Sequence, residues 1–295
     1  MSVYDAITER ILTQLEHGTV PWRQPWTSRG VPRNLLSLKP YRGINVWLLL
    51  SRPYASPYWC TFKQVQEIGG TVRKGEKGTA VVFWKFTDTK QDEEHDPQHS
   101  RPSTAPLVRT YTIFNSEQCS LPASLTDRIA AIIGETPEPI PACERIIATM
   151  AHRPTIEYGG DHACYRPLFD TVSVPHPSQF VSRAHFFSTL YHELCHSTGH
   201  RSRLARPGVT DGARFASHAY SIEELTAEFG AAFLCGVSGI APQTIDNAAA
   251  YIAHWIERLQ NDKTLLVHAA SQAQRAVDFI LNVSSAKETE SETTA

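Results

Sequence analysis

The stretch YHELCHSTGH, residues 191–200, sets His192, Glu193 and His196 within five positions. Residues four apart on an α-helix share a face, their Cβ atoms about 6 Å apart. Two imidazoles so placed can direct nitrogens onto one ion at about 2.0–2.1 Å. The carboxylate between them stands too far round to ligate easily, but close enough to hydrogen-bond a water there. A helix that is merely rich in histidine is the plainer alternative, and a third ligand decides between the two.

One class of zinc peptidase takes that ligand from a histidine six residues past the second, in HExxHxxGxxH. Gly199 fits the glycine, but Ser202 stands at the sixth position, and the only methionines are Met1 and Met150, so the methionine turn of that class is absent. A second class takes a glutamate from another helix. EELTAE, residues 223–228, offers Glu224 as ligand, with Glu228 one turn on to orient a histidine. Leu225, Phe229, Ala232 and Phe233 form the apolar face of that helix. Ser221 and Glu224 also satisfy a capping box, which alone could explain the glutamate, and Glu223 and Glu228 remain rival ligands. Two imidazoles and one carboxylate leave a position for water, whose pKa a Zn²⁺ ion would lower to about 7 while polarising a carbonyl; another divalent ion such as Mn²⁺ is the alternative. Glu193 would take the proton and return it to the leaving amine, so amide hydrolysis is the reaction class. His200 and Arg201 read as structural, at the helix end where positive charge is favourable. His218 and Tyr220 read as surface loop residues, with donation to an oxyanion the functional alternative. Cys195 reads as packing.

Positioning these groups requires a long helix over SRAHFFSTLYHELCHSTGH, held rigid by Phe186, Phe187, Leu190 and Leu194, and a second over SIEELTAEFGAAFLCG. A helix at ACERIIATMA and strands around PTIEYGG and CYRPLFDTVSVP precede them. The first half opens on a helix with Ile7, Ile11 and Leu15 on one face and Gly18 just past its end. Short buried helices follow at INVWLLL and TFKQVQEIGG, then strands at GTAVVFWKF and LVRTYTIFN, joined across a polar stretch at 87–106. The expectation is an α+β protein of two domains, 1–122 and 143–284, with a Pro- and Ser-rich linker at 123–142 and a disordered tail at 285–295.

The chain has 295 residues, 41% hydrophobic and 20% charged, as expected for a globular protein with a sizeable core. Residues 1–85 hold 12 Lys or Arg against 5 Asp or Glu, which is +7; the total of −2 leaves −9 for the rest. That asymmetry points to an anionic partner for the first third. Five of the 6 tryptophans lie there: Trp22, Trp26, Trp47, Trp59 and Trp84. Cations that track phosphates and flat rings that stack on bases are what single-stranded nucleic acid requires. Trp22, Arg23, Trp26, Arg42, Arg73, Lys74 and Lys77 are the candidate contacts, whereas Trp47 and Trp84, inside apolar runs, read as core. Six scattered cysteines without a CxxC pair argue for a reducing compartment. No signal peptide and no run of eighteen apolar residues occur, so the expected location is the cytoplasm, with no membrane partner.

PWRQPW, PYRGINVWLL, TFKQVQEIGGTVRKGEKGTAVVFWKF and YTIFNSEQC, with YHELCHSTGH and SIEELTAEFGAAFL beyond them, make the chain resemble the ArdC-type antirestriction proteins of conjugative plasmids, up to about residue 275. The resemblance implies an N-terminal domain that binds single-stranded DNA, with double-stranded DNA the weaker ligand, and a C-terminal zincin-like (gluzincin) metallopeptidase domain. It carries the metal motif onto His192, Glu193 and His196, with Glu224 from the acidic helix. It implies protection of incoming plasmid DNA from host restriction, with restriction-system proteins as candidate peptidase targets. The alternative is a protein that only coats single-stranded DNA and whose metal is structural.

Overall fold

The computed structural model of the chain describes residues 3–18, 20, 31–85, 107–134, 139–212, 217–240 and 249–283. Trp22, Arg23 and Trp26, the polar stretch 87–106 and the tail 285–295 lie outside them. The chain is a two-domain α+β protein.

Its first half is built around a four-stranded sheet. Helix α1 (Val3–Glu16) buries Ile7, Ile11 and Leu15 at the expected four-residue spacing, and Gly18 follows it in the left-handed conformation. Strand β1 (Arg33–Asn34), helix α2 (Ile44–Leu50) and strand β2 (Tyr58–Thr61) come next. Thr61 and Gln64 close a capping box at the start of helix α3 (Phe62–Glu67). Strands β3 (Thr71–Val72), β4 (Thr79–Lys85), β5 (Leu107–Asn115) and β6 (Cys119–Ser120) complete this half. The sheet order is β1-β2-β5-β4, with β4 and β5 antiparallel and Val81 opposite Tyr111; β3 and β6 pair separately.

Helix α4 (Ala123–Gly134) runs through most of the expected linker and packs Leu125 and Ile129 against Leu35, Val65 and Cys119. Helix α5 (Pro139–Thr149) leads to strands β7 (Thr155–Tyr158), β8 (Cys164–Arg166) and β9 (Thr171–Val174), in sheet order β7-β9-β8 with β8 antiparallel at one edge. Helices α6 (Arg183–Ser197), α7 (Pro207–Thr210), α8 (His218–Ser238), α9 (Ala249–Asn261) and α10 (Leu265–Ile280) follow.

The two halves share a core. Ile7, Ile11 and Leu15 of α1, Trp47 of α2 and Val82 of β4 form one cluster with Leu225 and Phe229 of α8, Trp255 of α9 and Leu266 of α10. The Trp47 and Phe229 rings lie 4.7 Å apart. Polar ties cross the same boundary: Arg42 pairs with Asp278, the Gly43 N–H donates to Gln274 Oε1, and the Thr8 hydroxyl donates to the Lys263 carbonyl. A second cluster gathers α5, β9, α6 and α8 around Phe187, Leu190, Leu194 and Leu234. All six cysteines are free thiols. Among the described residues, no helix is long and apolar enough to cross a membrane.

Candidate metal centre

Helix α6 starts where the Ser182 side chain accepts from the His185 N–H. Burial of Phe186, Phe187, Leu190, Tyr191 and Leu194 fixes its rotation, which leaves His192 and His196 on a half-open face. Helix α8 crosses it closely. A Cβ on Gly230 would come within 2.5 Å of Cys195 Sγ, so glycine there, and cysteine opposite, let the backbones approach. Cys195 is packing, as expected.

That approach brings Glu224 to the histidines. The two imidazole Nε2 atoms lie 3.1 Å apart; Glu224 Oε2 is 3.7 Å from that of His192, and Oε1 is 3.8 Å from that of His196. A tetrahedral ion with ligands at about 2.1 Å separates ligand atoms by roughly 3.4 Å, so these three groups fit one divalent cation without rearrangement of the helices. They are the one His/Cys/Asp/Glu group of metal-binding geometry among the described residues. Glu193 is buried beside them. Burial pushes its carboxyl above the usual range, with Glu224 adding to the rise and His196 opposing it. The backbone N–H of Tyr165, in edge strand β8, hydrogen-bonds the same carboxylate.

Behind the ligands lies Glu223, which the sequence offered only as a rival ligand. His196 Nδ1 lies 3.0 Å from Glu223 Oε1, so the carboxylate on that imidazole is Glu223. Burial alone would raise the Glu223 carboxyl, but Arg206 and His196 overcome it and hold it down at about 2; reciprocally, burial lowers His196, and Glu223 with its neighbours lifts it to about 9. Glu228 is half-buried one turn beyond Glu224. Helix α8 begins a turn earlier than expected, with Ser217 as its cap, while Ser221 donates back to the Ser217 carbonyl. No capping box therefore competes for Glu224. The charges at the C-terminal end of α6 also differ from expectation. Arg203 and Arg206 donate to the carbonyls of Ser197 and Cys195, whereas His200 turns to the Ser202 hydroxyl, 2.7 Å away. The chain doubles back after the helix, so arginines three and six residues beyond His200 reach the carbonyls that His200 itself has passed.

Tyr220, one turn before Glu224, hydrogen-bonds it; burial and the Glu224 charge push the phenol up to about 12. His218 instead lies 3.7 Å from Asp262. Among the candidate DNA contacts, Arg42 is committed to Asp278 and Arg73 to Glu76 and the Glu117 carbonyl, while Lys74 and Lys77 stand exposed at the β3–β4 turn. Nothing in the spacing of Arg206 marks it as special. Its only signal is its place in the Gly-flanked ARPG stretch that follows the helix.

Two helices that present HExxH and a facing glutamate beside a small sheet define a zincin-like domain. A family model described as a zincin-like metallopeptidase matches residues 141–272, and one described as the N-terminal domain of the anti-restriction factor ArdC matches residues 1–114. Crystal structures of the antirestriction protein ArdC from plasmid R388 are similar throughout. The metal-free form has a TM-score of 0.72 at 34% identity, covering 95% of this chain and 97% of that one; the Mn(II)-bound form has 0.71 at 33%, covering 96% and 98%. An uncharacterized protein of Sinorhizobium fredii, y4eC, is 34% identical over 94% of this chain and 91% of its own length. An Escherichia coli DNA primase TraC is 36% identical over 94% of this chain, which spans only 27% of that relative's length. The chain belongs to the ArdC antirestriction family.

Proposed function

We propose that the chain binds single-stranded DNA through its N-terminal half and cleaves peptide bonds at the two-helix centre, and that together these protect entering plasmid DNA from host restriction. The observation that carries the catalytic reading is the convergence of His192, His196 and Glu224, with a buried, hydrogen-bonded Glu193 alongside. Zn²⁺ is the proposed ion, with Mn²⁺ the rival, and either would supply Lewis acidity toward a substrate carbonyl and a water. Glu193 accepts the water's proton and passes it to the departing amine; its raised affinity for protons suits a group that must both take and give one. Tyr220 holds Glu224 from the outer side. Strand β8 stands at an edge of its sheet and reaches this centre through the Tyr165 N–H, so an extended peptide laid along that edge would pass beside Glu193.

For the nucleic acid, support comes from surface chemistry. Lys74 and Lys77 stand free in solvent, and Phe83 is 47% exposed, with its ring 5.4 Å from Tyr111 and Arg109 directly opposite it on β5. Such aromatic steps stack bases at about 1–3 kcal/mol each. Plasmid transfer into restricting and non-restricting recipients tests the whole reading, with Glu193→Gln and Phe83→Ala/Lys74→Ala/Lys77→Ala variants. Loss of protection in both supports it. Undiminished protection by Glu193→Gln would leave a coating protein whose metal is structural, and undiminished protection by the triple variant would remove this surface from the DNA path.

A further inference from the structure

The turn after α6 is folded back onto the helix end. Leu204 N–H donates to the Thr198 carbonyl and Arg206 N–H to the Gly199 carbonyl. Two glycines make the return possible. A Cβ on Gly199 would sit 2.5 Å from Val209 Cγ2 and 3.1 Å from the Arg206 guanidinium; one on Gly208 would sit 2.9 Å from Glu223 Cβ. The consequence of this wedging between α6 and α8 is one buried side chain. Arg206 is only 4% exposed and donates four short bonds: Nε to Glu223 Oε2 at 2.8 Å, and Nη2 to Glu223 Oε1 at 2.6 Å and the Cys195 carbonyl at 2.8 Å, with Nη1 to the Thr198 hydroxyl at 2.6 Å.

From this geometry we infer that Arg206 is a positioning residue for the metal centre, acting through Glu223 on His196; the inference rests on the metal-centre reading above. The guanidinium forks onto both oxygens of Glu223 and so fixes the plane of that carboxylate. Oxygen Oε1 then receives His196 Nδ1–H, which sets the ring's tilt and turns its Nε2 toward the space that Glu224 and His192 also face. Anchoring to the Cys195 carbonyl and Thr198 ties the fork to the same helix that carries the imidazole, so ring and carboxylate keep one frame of reference. This also gives Gly199 a reason of its own: it clears the space for Arg206, in a protein without the histidine that such a glycine precedes in HExxHxxGxxH.

Mn²⁺ binding to the full chain, measured by calorimetry and electron paramagnetic resonance on wild type, Arg206→Met, Arg206→Lys, Glu223→Gln and the Arg206→Met/Glu223→Gln double variant, tests this. The expected result is a loss of affinity of about 10- to 100-fold in Arg206→Met and in Glu223→Gln. The double variant should bind no more weakly than the worse single one, because one path is broken in each. Losses that multiply in the double variant, or Mn²⁺ affinity unchanged in Arg206→Met despite a lowered melting temperature, would overturn the inference and leave Arg206 a purely structural residue. If Arg206→Met does not fold, Arg206→Lys, which keeps the charge but not the two-pronged bond, carries the same comparison. Wild-type protein that takes up no Mn²⁺ or Zn²⁺ would overturn the metal centre itself, and this role with it.

Discussion

Glu193 and His192 are neighbours in the chain to which the proposed function gives separable tasks, and substitution can divide them. Glu193→Gln keeps the shape and removes the carboxylate proposed to accept the proton. It should retain metal affinity and lose peptide hydrolysis by about 10²–10⁴-fold, while His192→Ala should lose the metal as well; metal content and turnover of one peptide substrate, measured on both variants, check this. These residues were legible in the sequence because a helix turns every 3.6 residues and fixes which positions share a face. Glu224 was legible for the same reason, once the absence of a histidine at 202 turned attention to a second helix. Glu223 and Arg206 were not. Their roles depend on how closely a returning loop approaches two helices, and that distance is set by Gly199 and Gly208, not by periodicity.

At the level of elements, the contact between α6 and α8 decides whether the site exists. Gly230→Val would drive a methyl into Cys195 Sγ. Overpacking of this kind costs about 1–3 kcal/mol, and prising the helices apart also withdraws Glu224. Thermal melting should show the first effect and weakened metal binding the second. A different clamp holds the β8–β9 turn to the end of α6. Arg203 makes a two-pronged pair with Asp170, at 2.8 and 2.7 Å, and Tyr165 donates to the same carboxylate. Burial works to raise the Asp170 carboxyl, yet Arg203 and Tyr165 bring it below its ordinary value. A depressed carboxyl stabilises the fold above its unfolded value, about 3.9, and loses that contribution as pH falls through the folded one. Because Asp170 is 36% exposed, solvent screens much of the effect. Melting temperatures of wild type and Asp170→Asn should therefore differ at neutral pH and converge as the pH drops below 4. Alternation and apolar runs foretold the β4–β5 hairpin, α2 and α3. The start of α8 was misplaced because Ser221 and Glu224 spell a capping box, whereas in the fold Ser217 caps the helix and Ser221 lies inside it.

For the molecule as a whole, the notable feature is the core that joins its halves. Trp47 belongs to the first half, but rests on Phe229, five residues past Glu224 on α8. Trp47→Ala should cost about 3–5 kcal/mol of stability and lower the unfolding transition of the entire chain as a single step in calorimetry; separate transitions for the two halves would contradict a shared core. Trp47 was rightly read as core, but no pattern in the sequence could announce which core it would join. The central claim remains that His192, His196 and Glu224 hold one divalent ion. Crystals soaked in Mn²⁺ and measured at the manganese absorption edge test it most directly. A single strong anomalous peak about 2.0–2.3 Å from both Nε2 atoms and a Glu224 oxygen is the expected result. A featureless map at that point, with the metal bound elsewhere or nowhere, would contradict it.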